Sequence, residues 1–127
     1  MFPSKWYKRH PQRLQAEVII MSQRFGQFVL KKDRQGNLFW EGILITNFST
    51  PYQVKIAYPQ NYPYQKPVFR VVEPKMRKDC PHRFVDGTLC VYPDRYDYRK
   101  CTAPAGVPLV ASWLANYEIW LRTGKGW

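Results

Sequence analysis

Gln27-Phe28-Val29-Leu30-Lys31-Lys32-Asp33-Arg34-Gln35-Gly36-Asn37-Leu38-Phe39-Trp40 reads as a strand, a turn and the opening of a second strand. Phe28 and Leu30 share one face of the first run, because strand side chains alternate. Asp33 to Asn37 carries turn chemistry, with Gly36 able to take a positive φ. The second strand is expected from Leu38 to Thr46, a third from Tyr52 to Tyr58 and a fourth from Val68 to Val72. The last is rich in β-branched residues. The short connections between these runs favour an antiparallel meander.

Helices are expected on both sides of the strands. Leu14, Val18, Met21 and Phe25 recur at spacings of four, three and four, so Pro11 to Phe25 reads as an amphipathic helix. Pro11 suits its first turn and Gly26 the position past its end. Leu109, Val110, Trp113, Leu114, Tyr117, Trp120 and Leu121 make a wide apolar arc from Val107 to Arg122. Pro108 fits that helix's first turn and Gly124 its end. Trp113, Leu114, Tyr117 and Trp120 are expected in the core, where aromatic rings dominate buried area. The fold class is α+β: an N-terminal helix, a four-stranded antiparallel meander and a C-terminal helix, in one domain over residues 1–127.

Composition sets further bounds. The 127 residues are 45% hydrophobic and 17% aromatic, which excludes a disordered chain. No apolar run is long enough to span a bilayer, and Met1 to Trp6 has no signal-peptide core, so a cytoplasmic protein without membrane contact is expected. Three cysteines are too few for a secreted disulfide scaffold. Lys and Arg outnumber Asp and Glu by 20 to 9, a net charge of +11. Such charge permits nucleic-acid binding, and Trp6, Tyr7, Tyr96 and Tyr98 are aromatics of the stacking type. No base-reading motif accompanies it, so an acidic protein partner is the better expectation. Lys8, Arg9, Arg13 and Arg24 on the first helix are the expected contacts. No glycine-rich phosphate loop is present, and no cofactor is expected.

The stretch from Glu73 to Gly106 differs from the rest. It has four prolines and no clear elements, which in a compact domain marks a functional segment. Cys80, Cys90, Cys101 and His82 all lie in it. A zinc site from these four is disfavoured, since the gap from Cys80 to His82 is tighter than usual ligand spacing. No metal is expected.

Three stretches together carry a resemblance. Tyr58-Pro59-Gln60-Asn61-Tyr62-Pro63-Tyr64-Gln65-Lys66-Pro67-Val68-Phe69 is similar to the proline-rich turn before the fourth strand of ubiquitin-conjugating enzymes. His82-Arg83-Phe84-Val85-Asp86-Gly87-Thr88-Leu89-Cys90 resembles their His-Pro-Asn motif and the active-site run ending in cysteine. Here Arg83 and Phe84 replace Pro and Asn, and the His-to-Cys spacing is two residues shorter. The closing run from Trp113 to Trp127 resembles short bacterial relatives of the ubiquitin-conjugating fold, some of them encoded in cyclic-oligonucleotide antiphage (CBASS) operons. The resemblance runs from about residue 11 to the end. It implies the ubiquitin-conjugating-enzyme-like fold and a thioester transferase. The implied partner is a protein with a C-terminal glycine, here a cyclic-nucleotide synthase related to the animal DNA sensor. A separate activating enzyme stays open.

Such chemistry needs a thiolate. Cys90 is the cysteine the motif selects, but Leu89 and Val91 give it apolar neighbours, which raise a thiol's pKa. Cys101 follows Arg99 and Lys100, whose charges favour a thiolate, and precedes the last helix, whose dipole favours an anion. Cys101 is therefore the first choice of nucleophile and Cys90 the second, with Cys90 expected to serve packing. His82 is expected to hold the active-site loop. Arg99, Lys100, Asp94 and Asp97 are the expected substrate-side residues, the two aspartates as bases toward an incoming amine. Phe84 cannot donate the hydrogen bond of the family's Asn, which leaves thioester capture in place and full ligation in question. A non-catalytic tail-binding module on the same fold and a basic nucleic-acid-binding domain are the competing readings.

Overall fold

The computed structural model describes residues 4–93, 97–125 and 127. A one-turn helix α1 (Trp6–Arg9), which the pattern did not reveal, precedes α2 (Pro11–Arg24). Four strands follow: β1 (Val29–Lys32), β2 (Leu38–Ile45), β3 (Pro51–Ala57) and β4 (Val68–Glu73). A single turn of 3-10 helix at Tyr98–Lys100 leads to α3 (Ala103–Thr123). The sheet order is β1-β2-β3-β4 and every pair is antiparallel, the expected meander.

Register decides what each face does. Leu30, Trp40, Ile56 and Phe69 lie side by side across the four strands on the inner face. Trp40, Ile56 and Phe69 are buried there against the helices. The neighbouring row, Glu41, Lys55 and Arg70, faces out. Lys31 Nζ bridges Glu41 at 2.7 Å on that face. Alternation of one apolar and one charged row is the signature of a sheet covered on one side.

α3 covers the inner face, with Val107, Val110, Trp113, Leu114 and Tyr117 buried; Trp120 packs at the edge, half-buried. A Cβ on Gly106 would lie 2.3 Å from Phe69 Cζ, so the helix approaches β4 more closely than any side chain allows. The helix starts four residues earlier than its apolar pattern suggests. Thr102 caps it by accepting a hydrogen bond from Ala105 N at 3.1 Å, and Pro104 fills the first turn. Pro108 instead sits inside the helix.

α2 joins this core through Met21 and through a buried carboxylate. Glu17 is 2% exposed and accepts from Tyr58 Oη at 2.8 Å, from Tyr62 Oη and from Ala103 N at 3.0 Å. Arg13 Nε lies 3.4 Å from Oε2, the oxygen that accepts from Tyr62. Burial, then the charge of Glu17, pushes both tyrosine hydroxyls well above their ordinary pKa, so they stay donors.

Candidate functional site

Residues 82 to 90 form a tight hairpin on the β4 edge. Gly87 N donates to the Phe84 carbonyl at 2.9 Å and closes the turn. Gly87 takes φ +90°, a conformation that favours glycine, and a Cβ there would meet Arg70 Nη1 at 3.1 Å. Asp86 Oδ1 accepts from Thr88 N at 3.0 Å and from Thr88 Oγ1 at 2.7 Å. Those bonds hold its carboxyl below the usual range. Arg83 pairs with Leu89, Phe84 N donates to Thr88, and Leu89 N donates to the Phe69 carbonyl at 2.9 Å. The Asp-Gly-Thr-Leu run thus ties the hairpin to the sheet.

His82 and Cys90 stand at the root. The His82 carbonyl accepts from Cys90 N at 2.9 Å and from Trp113 Nε1 at 2.9 Å. Its ring Nε2 lies 2.8 Å from the main-chain oxygen of Trp127; that oxygen only accepts, so Nε2 carries the proton. The His82 backbone sits at φ +58°, in the left-handed region.

The three thiols have different surroundings. Cys80 is 7% exposed, and burial raises its pKa. Cys101 is 1% exposed, and its Sγ donates to the Asp97 carbonyl at 3.3 Å. Cys90 is half-buried and lines a groove of about 300 Å³ with Lys66, Pro67, Phe84, Thr88 and Tyr92. Lys66 Nζ lies 5.0 Å from the Tyr92 ring centroid, and Tyr92 Oη donates to the Pro67 carbonyl at 3.3 Å. A wider hollow of about 740 Å³ between α1 and the β1–β2 turn contains no cysteine.

This geometry corrects the electrostatic argument for Cys101. Burial pushes its thiol up; Lys66 and a hydrogen bond with Tyr92 pull it down, Asp97 opposes them, and burial prevails. Arg99 does not serve it: the guanidinium grips the Asp97 carboxylate, with Nη2 to Oδ2 at 3.0 Å. Lys100 is exposed. The anion position at the N-terminus of α3 is taken by Glu17, which leaves the dipole to that carboxylate rather than to the thiolate. Asp97, held by Arg99, lies below the usual carboxylate range and is a weak base. Asp94 and Tyr96 fall outside the described residues. The expected packing role of Cys90 also needs revision, since its apolar sequence neighbours do not bury it. Leu89 is buried while Cys90 opens onto the groove.

Lys66 and Tyr92 are the groove residues that the sequence did not single out. The signals were weak: a lysine inside the proline-rich turn and an aromatic two residues after Cys90. Phe84 does line the groove, where the family's Asn is expected. Of the cations expected on the first helix, Arg13 turns onto Glu17, and Arg9 donates to the Ser4 and Gln60 carbonyls. Trp6 is 3% exposed, which removes it as a platform for bases. Among the described residues, no three His, Cys, Asp or Glu side chains group as metal ligands.

The hairpin, its cysteine and the covering helix all fall within residues 17–127, the stretch matched by the family model of the Type II CBASS E2 protein. The chain belongs to this family. As a CBASS E2 protein it has an E2-like role in antiphage defence and works with other CBASS proteins. Comparison with curated proteins gives no match. No helix in the described part of this CBASS E2 chain is long and apolar enough to cross a membrane.

Proposed function

We propose that this CBASS E2 chain carries an acyl group on Cys90, as a thioester with the C-terminal glycine of a partner protein. The observation that carries this reading is access: Cys90 lines an open groove, while Cys80 and Cys101 are buried. The thiolate adds to the carbonyl carbon of a glycine that arrives activated, as another thioester or an acyl adenylate from an activating enzyme. The activating group leaves with its electron pair, and Cys90 keeps the acyl. Lys66 lines that groove with its cation, the charge that would attract the oxyanion formed during transfer. Within a CBASS system the partner of best fit is the cyclic-nucleotide synthase, in the cytoplasm. The hairpin, pinned by Phe69, Trp113 and the Asp86 turn, holds the sulfur still for attack.

Intact-mass measurement of the protein purified with its synthase tests the reading. Cys90→Ala should remove a covalent adduct that reductant and hydroxylamine release. Cys101→Ala should keep the adduct and lower thermal stability by about 1 kcal/mol, as loss of a small buried side chain does. Loss of the adduct in Cys101→Ala alone would restore Cys101 as nucleophile. No adduct in any form would leave the non-catalytic tail-binding reading, which the Phe84 replacement favours.

A further inference from the structure

On the other side of the active-site hairpin lies a hollow of about 230 Å³ lined by Arg70, Lys75, Lys78 and Arg83, with Val72 and Met76 as its apolar part. Among the described residues, no carboxylate lines it. Of the acids nearby in sequence, Asp79 pairs with Arg77 at 2.6 Å and Asp86 accepts from Thr88, while Glu73 at the end of β4 is exposed and lies outside the lining. Among the described residues, Arg70 donates to the Asp86 backbone carbonyl and Arg83 to that of Arg77. Lys75 and Lys78 are exposed and make no hydrogen bond or ion pair among the described residues. Four cations in one small hollow repel each other unless an anion joins them.

The hollow and the thiol groove share two walls. Within the hairpin, Phe84 and Thr88 line the groove, and Arg83 and Gly87 line the hollow. At the start of β4, Val68 and the preceding Pro67 line the groove, and further along the strand Arg70 to Val72 line the hollow. Three strand residues, from Val68 to Val71, separate them by about 10 Å. An extended chain ending at Cys90 reaches the hollow with its fourth or fifth residue from the end.

We propose that this hollow binds an acidic segment of the partner polypeptide, a few residues before the glycine that Cys90 receives. The placement rests on the Cys90 reading; the anion site itself does not. Charge complementarity selects the occupant, and the short distance to a groove that takes a polypeptide tail selects a peptide over a nucleic acid. The pairing would speed encounter and set the tail's register, so that tails lacking acids in that position are passed over.

The probe is a ten-residue peptide ending in glycine, with glutamates four and five residues from the end or with glutamines there. As a mercaptoethanesulfonate thioester it acylates Cys90 directly: the cysteine thiolate adds, the mercaptoethanesulfonate thiolate leaves, and solvent takes the cysteine proton. Intact mass follows transfer to the full chain, and fluorescence anisotropy follows binding of the free-acid peptide. The glutamate peptide should react about tenfold faster than the glutamine peptide at low salt, and added salt should narrow the gap. K75E/K78E should abolish the preference, and K75Q/K78Q should reduce it, with melting temperatures unchanged. Acylation at equal rates for both peptides would overturn the acidic-tail assignment while leaving the Cys90 reading intact. Acidic-peptide binding lost in K75E/K78E, with no acylation of Cys90, would keep the hollow and overturn the thioester. Inorganic phosphate or a single-stranded oligonucleotide that binds more tightly than the acidic peptide, and is lost in K75E/K78E, would overturn the peptide assignment.

Discussion

Cys101 donates its Sγ–H to the Asp97 carbonyl beneath Lys66 and Tyr92, whereas Cys90 opens onto the groove. Iodoacetamide at pH 7.5, followed by peptide mapping, should label Cys90 first and leave Cys101 protected in the folded chain. The pH dependence of stability follows from the raised Cys101 pKa. The fold favours the protonated thiol, so this contribution is present below the unfolded thiol's pKa of about 8.5 and is lost as pH rises through the higher folded value. Melting temperatures measured across that alkaline range should fall less steeply in Cys101→Ala than in the unmodified chain. A steeper fall in the variant would contradict the burial argument.

At the scale of elements, Glu17 links α2, the turn after β3 and the start of α3. Glu17→Ala strands the Ala103 N–H and two tyrosine hydroxyls, each a buried donor. The expected loss is at least about 2 kcal/mol in urea unfolding, because an unmet buried donor costs roughly 1–3 kcal/mol. Glu17→Gln, which keeps an acceptor, should lose less. Gly106→Ala probes the contact between α3 and β4. Its new Cβ must displace the Phe69 ring, at about 1–3 kcal/mol for overpacking. The strain should travel to the hairpin, since Leu89 hangs from the Phe69 carbonyl. Hydrogen exchange at Leu89 and Cys90 should quicken in that variant; unchanged exchange would show that the hairpin is held independently of the sheet.

Across the whole molecule, α3, the hairpin and Trp127 close on one another. Trp127 packs edge-on against Trp113 at 4.7 Å between centroids, and its main-chain oxygen meets the His82 ring. Trp113 in turn stacks on Tyr117 and donates to the His82 carbonyl. Trp113→Phe keeps much of the ring contact and deletes the donor. It should cost about 1 kcal/mol, a fall in melting temperature near 4 °C, and should slow acyl transfer to Cys90 more than it lowers stability. Equal loss of both would assign Trp113 a purely structural role. Net charge belongs to this scale as well. The +11 excess is legible from composition, but its local concentration at Arg70, Lys75, Lys78 and Arg83 joins residues from β4, the loop after it and the hairpin.

Alternation of apolar and polar residues with turn chemistry sufficed to read four strands in a meander, because a sheet covered on one face writes its period into the chain. The apolar arc from Leu109 to Leu121 likewise marked the covering helix; the Asp-Gly-Thr-Leu-Cys run was legible as an active-site motif but not as a hairpin. Where that helix began was hidden, because two prolines both suit a first turn and only the Thr102 cap distinguishes them. Which cysteine meets solvent was hidden for a related reason. Burial and neighbouring charge depend on what packs in space, and Cys101's surroundings come from Lys66, Tyr92 and Asp97 rather than from Arg99 and Lys100 beside it. Sequence determined the fold through local periodicity; the reactivity of its thiols was decided by tertiary packing, because desolvation and Coulomb forces act through distance and not through chain order.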